Sequence, residues 1–105
     1  MKLLSINYIP GQEIEALGMV KGTIVQTKHV GKDFMASMKT LVGGEITGYT
    51  QMLNEARQIA IKRMVDEAKE LGADAVIDIK YGSSQIMAGA AEVIAYGTAV
   101  KYIDQ

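Results

Sequence analysis

The chemistry open to this 105-residue chain is bounded first by what it lacks: it has one histidine, His29, and no cysteine. Zinc and copper sites take three or four ligands, drawn largely from those two residue types, so one chain offers no metal centre of that kind. A symmetric oligomer could bring together one His29 per subunit; the plainer reading is an exposed histidine at a strand end. The absence of cysteine also removes disulfides, thiol nucleophiles and iron–sulfur ligation, and it fits a reducing cytoplasm. Met35 and Met38, three apart among seven methionines, are the closest approach to a soft-metal pair. Both fall on an apolar helical stripe, where core packing accounts for them. Asp74 and Asp78 would share one face of a strand, but about 13 Å apart, too far for one acid–base site. Asp74 suits a cap on the turn after Gly72. No Ser/His/Asp set and no HExxH, CxxC or GxGxxG stretch occurs, so no nucleophile or tuned base marks an enzyme.

The glycines of "LVGGEITGYT", residues 41–50, raise a different question. A phosphate loop follows a strand and lets backbone N–H groups converge on an anion at a helix N-terminus, and the Walker form adds Gly-Lys-Ser/Thr. This stretch has no lysine, a helical pattern precedes it, and Glu45 would repel a phosphate. It reads as a connection between two helices, with Gly43 ending the first and Gly48 freeing the entry to the second. The other reading is a loop that edges a pocket in an assembled protein, with Tyr49 as one wall.

The elements that hold these residues follow from periodicity. Leu3–Ile9 reads as a short strand ended by the turn Pro10-Gly11. From Ile14 to Thr27 the residues alternate, with Ala16, Gly18, Val20, Gly22 and Ile24 on a small, apolar face; a bulge is expected near Gly18 or Gly22. "KDFMASMKTLV", residues 32–42, carries the spacing of a short amphipathic helix with Asp33 in its first turn. A longer helix is expected along the stripe Leu53, Ala56, Ala60, Met64, Ala68 and Leu71, supported by the pairs Lys62–Asp66 and Arg63–Glu67 and stopped by Gly72. Its alanines allow close approach to a sheet. "ADAVIDIKY" (73–81) alternates as a strand, "GSSQIMAGA" (82–90) reads as a flexible connection, and "AEVIAYGTAVKYI" (91–103) as a final strand apolar or small on both faces. The sum is one α+β domain over residues 1–105, with an antiparallel or mixed sheet carrying one long and one short helix on one face.

Composition narrows the function classes. The net charge is −1 with both signs dispersed, so there is no nucleic-acid or polybasic membrane footprint. No stretch is apolar and long enough for a signal peptide or a membrane helix. With 49% hydrophobic residues and a mean hydropathy of +0.10, the chain has more apolar surface than a domain this small can cover, and a partner subunit is the simplest cover.

Taken together, "GMVKG", Asp33, "LVGGEITGY" running into "LNEARQIA", "ELGADAVIDIKY" and "EVIAYGTAV" resemble the YbjQ-like family, which also carries a heavy-metal-binding label. The likeness runs from about Gly18 to Lys101. It implies a dodecin-like α+β subunit that forms a ring, with five subunits favoured, and no established activity or cofactor. The family's motif positions fall on Asp33, Gly43, Gly44, Tyr49, Arg57, Gly72, Ala73, Asp74, Gly97 and Thr98. Among them Asp33, Tyr49 and Arg57 are the candidate ligand-binding residues; no residue is assigned a catalytic or metal-ligating role. Three functions remain in order: a non-enzymatic cytoplasmic homo-oligomer binding a small ligand or partner at its subunit interfaces, a heavy-metal-binding protein, and an enzyme with an unrecognised site.

Overall fold

The computed structural model of the chain describes residues 1–27, 41–42 and 45–103, and for 41–47 and 49 the backbone alone. Its elements in order are β1 (Lys2–Leu3), β2 (Ile14–Thr27), β3 (Leu41–Val42), β4 (Glu45–Ile46), α1 (Thr47–Glu70), β5 (Ala75–Met87) and β6 (Ala90–Tyr102). Four strands form an open mixed sheet in the order β1-β5-β6-β2, with β1 parallel to β5 and the other pairs antiparallel. The helix covers one face.

The long helix ends as its sequence dictates. Gly72 takes φ +76°, its N–H bonds to Lys69 O at 3.0 Å, and the Ala73 N–H reaches back to Ala68 O at 3.1 Å. That double closure satisfies carbonyls left over at a helix end, and it needs a left-handed residue at this position. The buried stripe is Met52, Ala56, Ala60, Met64 and Ala68, while Leu53 is half-buried. Leu71, expected on the stripe, is 48% exposed, because the chain has already left the helix there. Lys62 pairs with Asp66 at 3.0 Å on an open surface, worth at most about 0.5 kcal/mol. The expected Arg63–Glu67 pair is replaced: Arg63 Nη1 donates to the Thr23 carbonyl on β2 at 2.7 Å.

Beneath the helix lie Val20, Val76, Val93, Ala95 and Ala99. Each larger side chain buried this way contributes about 1.5–3 kcal/mol. The opposite face has a smaller cluster, Ile9, Ala75, Ile77 and Val100, roofed by the N-terminal segment through Leu4. That segment is a strand for two residues only, but Leu4 N–H bonds to Val76 O and Ile79 N–H to Leu4 O, so it continues along the β5 edge without regular pairing. Pro10-Gly11 makes the expected turn, with Gly11 at φ +74° and Gln12 N–H bonded to Ile9 O.

Two bulges set which side chains face the helix. On β2 the register slips between Ala16 and Gly18, which puts Leu17 against the helix-side core and leaves Ala16 opposite Val100. On β5 it slips between Ile77 and Lys80, where Asp78 has φ +54°. Simple alternation put Ile77, Ile79 and Tyr81 on one face. The extra residue reverses that parity after Ile77, so Ile79 joins Val76 under the helix.

The connection expected at 82–90 is instead strand. β5 runs to Met87, pairs with Ala90, and turns through Ala88-Gly89 alone, Gly89 at φ +77°. Ser83, Ser84 and Gln85 have weak strand preference by themselves, and pairing with Val93, Glu92 and Ala91 overrides it. The short helix expected over 32–42 lies outside the described residues apart from its last two. Those two contradict it: Leu41 and Val42 pair antiparallel with Ile46 and Glu45. Two glycines between two short apolar-containing runs are a hairpin signal that the helical spacing outweighed in the sequence.

Candidate functional site

Gly22 fixes where the helix lies, and that in turn opens a cleft. A Cβ on Gly22 would strike the backbone of α1 at Ala60 O, and would meet Met64 N at 2.5 Å and Arg63 Cβ at 2.8 Å. Glycine opposite Ala60 and Met64 therefore lets α1 settle deeply on the β2 side of the sheet. The helix rests on β2 and β6 and barely touches β5. The uncovered strip becomes a cleft of about 330 Å³. Ile61 and Met64 of α1 form one wall and Ile79 and Tyr81 of β5 the floor, with Leu3, Leu4 and Ser5 along the rim. Its size is at the lower end for small-molecule sites, and the lining is apolar with two hydroxyls. No carboxylate, lysine, arginine or histidine lines it. Such a surface suits a mostly apolar group, with the Ser5 and Tyr81 hydroxyls as its hydrogen-bonding positions.

The sequence pointed elsewhere. Asp33 lies outside the described residues, as do His29, Met35, Met38, Gly43 and Gly44. Tyr49 is the third residue of α1. Arg57, half-buried, donates to Asn54 Oδ1 one turn earlier. Eight helical residues separate Tyr49 from Arg57, about 12 Å along the axis, so their backbones do not bring them to one point. Arg57 stands one turn before Ile61 on the same side of α1, but it does not line the cleft. Asp74 and Asp78 are separate structural groups. The Asp74 carboxylate accepts the Tyr102 N–H at 2.8 Å and ties the end of β6 to the start of β5, while Asp78 faces Lys80 Nζ at 3.3 Å.

The glycine loop is followed directly by α1, and beside that helix start is a second, more open cleft of about 310 Å³. Gln26, Thr27, Gln51 and Glu55 line it, with Gly48 and Met52. Among the described residues the one charged group there is a carboxylate, which opposes an anion as Glu45 does in the sequence.

Heavy-metal chemistry can be tested against the donors present. Among the described residues no three His, Asp or Glu side chains gather, and the chain has no cysteine. Met52 and Met64 are buried in the core, and Met19 and Met87 project from different strands. The described residues do not fit a closed metal site, so no step is derived through one. A chelator is expected to leave the melting temperature within a few degrees, because no ligand set couples metal binding to folding; a fall of more than about ten degrees in EDTA would contradict this.

An open four-stranded mixed sheet carrying one long helix defines the molecule as a small α+β protein. The chain belongs to the YbjQ family: the family's model, described as "Putative heavy-metal-binding", matches residues 1–103. A UPF0145 protein of Clostridium novyi is 60% identical over 98% of this chain and all of its own length. UPF0145 proteins of Helicobacter hepaticus and Thermotoga maritima are 56% and 57% identical, covering 98% and 96% of this chain and 99% and 96% of their own. A crystal structure of a Pediococcus pentosaceus protein of unknown function, from the DUF74 family, shares the fold at a TM-score of 0.65 and 19% identity, covering 98% of both chains. No helix among the described residues is long and apolar enough to cross a membrane.

Proposed function

We propose that the chain is a non-enzymatic, cytoplasmic homo-oligomer that binds an uncharged, largely apolar small ligand or partner where its subunits meet. The observation that carries this is the cleft between α1 and β5, apolar apart from the Ser5 and Tyr81 hydroxyls, open on its outer side and with no carboxylate, amine or imidazole among the described residues that line it. Resemblance to a dodecin-like, ring-forming subunit favours five copies. Native mass spectrometry of gently purified protein tests both halves at once. The expected spectrum shows a multiple of the 11.3 kDa chain, five favoured, carrying the added mass of a small organic molecule. A monomer, or an assembly that retains metal ions in place of an organic molecule, would contradict the proposal.

A further inference from the structure

We infer that the sheet face turned away from α1 carries a second site, a shelf built on Tyr96 that takes a planar aromatic carboxylate. It is separate from the cleft proposed above, which lies on the helix side of the sheet. Val93, Ala95 and Ala99 of β6 pack in the core under the helix, so the residues that alternate with them, Ile94, Tyr96 and Thr98, point the other way. The N-terminal segment roofs one end of that face, over Ala75, Ile77 and Val100. Ile94 and Tyr96 lie outside that roofed cluster and are half-buried.

The strand register sets two lysines beside this shelf. Lys21 of β2 and Lys80 of β5 are each directly opposite Tyr96, one on either side. Directly opposed residues on neighbouring strands share a face, so one row across the sheet reads Lys21, Tyr96, Lys80. Strand spacing sets the two lysine Cα atoms about 10 Å apart. Both lysines are exposed. Their methylene stems can flank a ring lying on Tyr96, with the ammonium groups at its rim. In the next row Ile94 has Thr23 on one side and Gly82 on the other. Gly82 raises no wall, and Ile94 Cγ2 already stands 3.1 Å from where its Cβ would be. The shelf is level there, and a flat molecule covers more of its apolar surface than a rounded one does.

The surrounding charges select one negative charge on the ligand. Lys80 is shared with Asp78, whose two carboxylate oxygens are each 3.3 Å from its Nζ. With Asp78 counted, the row carries a single net positive charge, supplied by Lys21. Glu92 faces the same way two residues along β6, between Val25 and Ser84, and opposes a second negative charge. A carboxylate fits that field better than a phosphate dianion. The aromatic part follows from Tyr96, whose ring is best matched by another ring stacked offset or edge-on.

The test is an NMR titration of the isotope-labelled protein with naphthoate, with its uncharged amide naphthamide, with cyclohexanecarboxylate, which has the charge without the flat ring, and with adenosine monophosphate. Naphthoate is expected to move the amide signals of Lys21, Ile94, Tyr96 and Lys80 and to leave those of Ile61 and Tyr81 in place. Naphthamide and cyclohexanecarboxylate should each bind about fivefold more weakly than naphthoate. Lys21→Gln, at an exposed position, should narrow the gap between naphthoate and naphthamide to less than about twofold, which a merely structural lysine would not do. Equal binding of naphthoate and naphthamide, or no shift at Tyr96 with naphthoate up to about 10 mM, overturns the site. Shifts confined to Ile61 and Tyr81 also overturn it and leave the cleft on the helix side standing. Tighter binding of adenosine monophosphate than of naphthoate overturns the carboxylate assignment in favour of a phosphate.

Discussion

Gly22→Ala is expected to lower stability by about 3 kcal/mol, more than a methyl group added to a surface strand should. Its Cβ would be driven into the backbone of α1, against Ala60 O and Met64 N, and a helix backbone cannot rotate aside as a side chain can. Relief requires α1 to lift off β2, which opens voids around Val20, Ala56 and Met64 in the main core. For a domain of this size the melting temperature should fall by roughly 12–24 °C. Gly82→Ala is the matched control. Its Cβ would meet only Ile94 Cγ2, at 3.1 Å, the end of a movable side chain, and less than about 1 kcal/mol should be lost. Urea melts of both variants check the contrast; equal midpoints would show that the helix does not rest on Gly22 as described.

Val100→Asp is expected to unfold the chain outright. Val100 is fully buried among Ile9, Ala75 and Ile77, and an unpaired carboxylate there costs several kcal/mol, comparable to the whole stability of a small domain. The sequence showed only that the final strand, Val100 included, is apolar or small on both faces. In the structure the chain covers that position itself, with its N-terminal segment. The consequence is specific: Val100→Asp should lose far-UV helical signal even at dilutions where the wild type is dissociated. A folded monomer from Val100→Asp would mean that a second subunit, not Ile9 and Leu4, shields this face.

What was legible in the sequence were the elements whose signals are local. The helix stop at Gly72 needs a left-handed residue, the Pro10-Gly11 turn needs a preset φ followed by a positive one, and the bulge at Gly18 needs a φ of +144° that residues with a side chain rarely adopt. The positions of Ile79 and Tyr81 were not legible. They depend on one extra residue at Asp78, an ordinary-looking member of an alternating run, held by the bonds of Asp78 N–H to Ile6 O and Ile79 N–H to Leu4 O, more than 70 positions away. Ser83–Gln85 looked like a loop because their order comes from β6. Leu41 and Val42 fit a helical stripe as well as a strand, and the pairing with Glu45–Ile46 decided for strand.

The candidate site was hidden for the same reason. The cleft exists because α1 is displaced sideways by a glycine on β2, and its lining joins residues 3–5, 61–64 and 79–81, which no spacing rule connects. Arg57, singled out from the sequence, is not among its lining residues and bonds to Asn54 instead. Asp33 lies outside the described residues, and Tyr49 lies two helical turns before Arg57.

The proposed function requires that the chain assemble with copies of itself. Sedimentation equilibrium of the untagged protein at micromolar concentration tests that most directly. The predicted result is a single species at a multiple of 11.3 kDa, with five subunits favoured. A monomer of 11.3 kDa across the concentration range would contradict it.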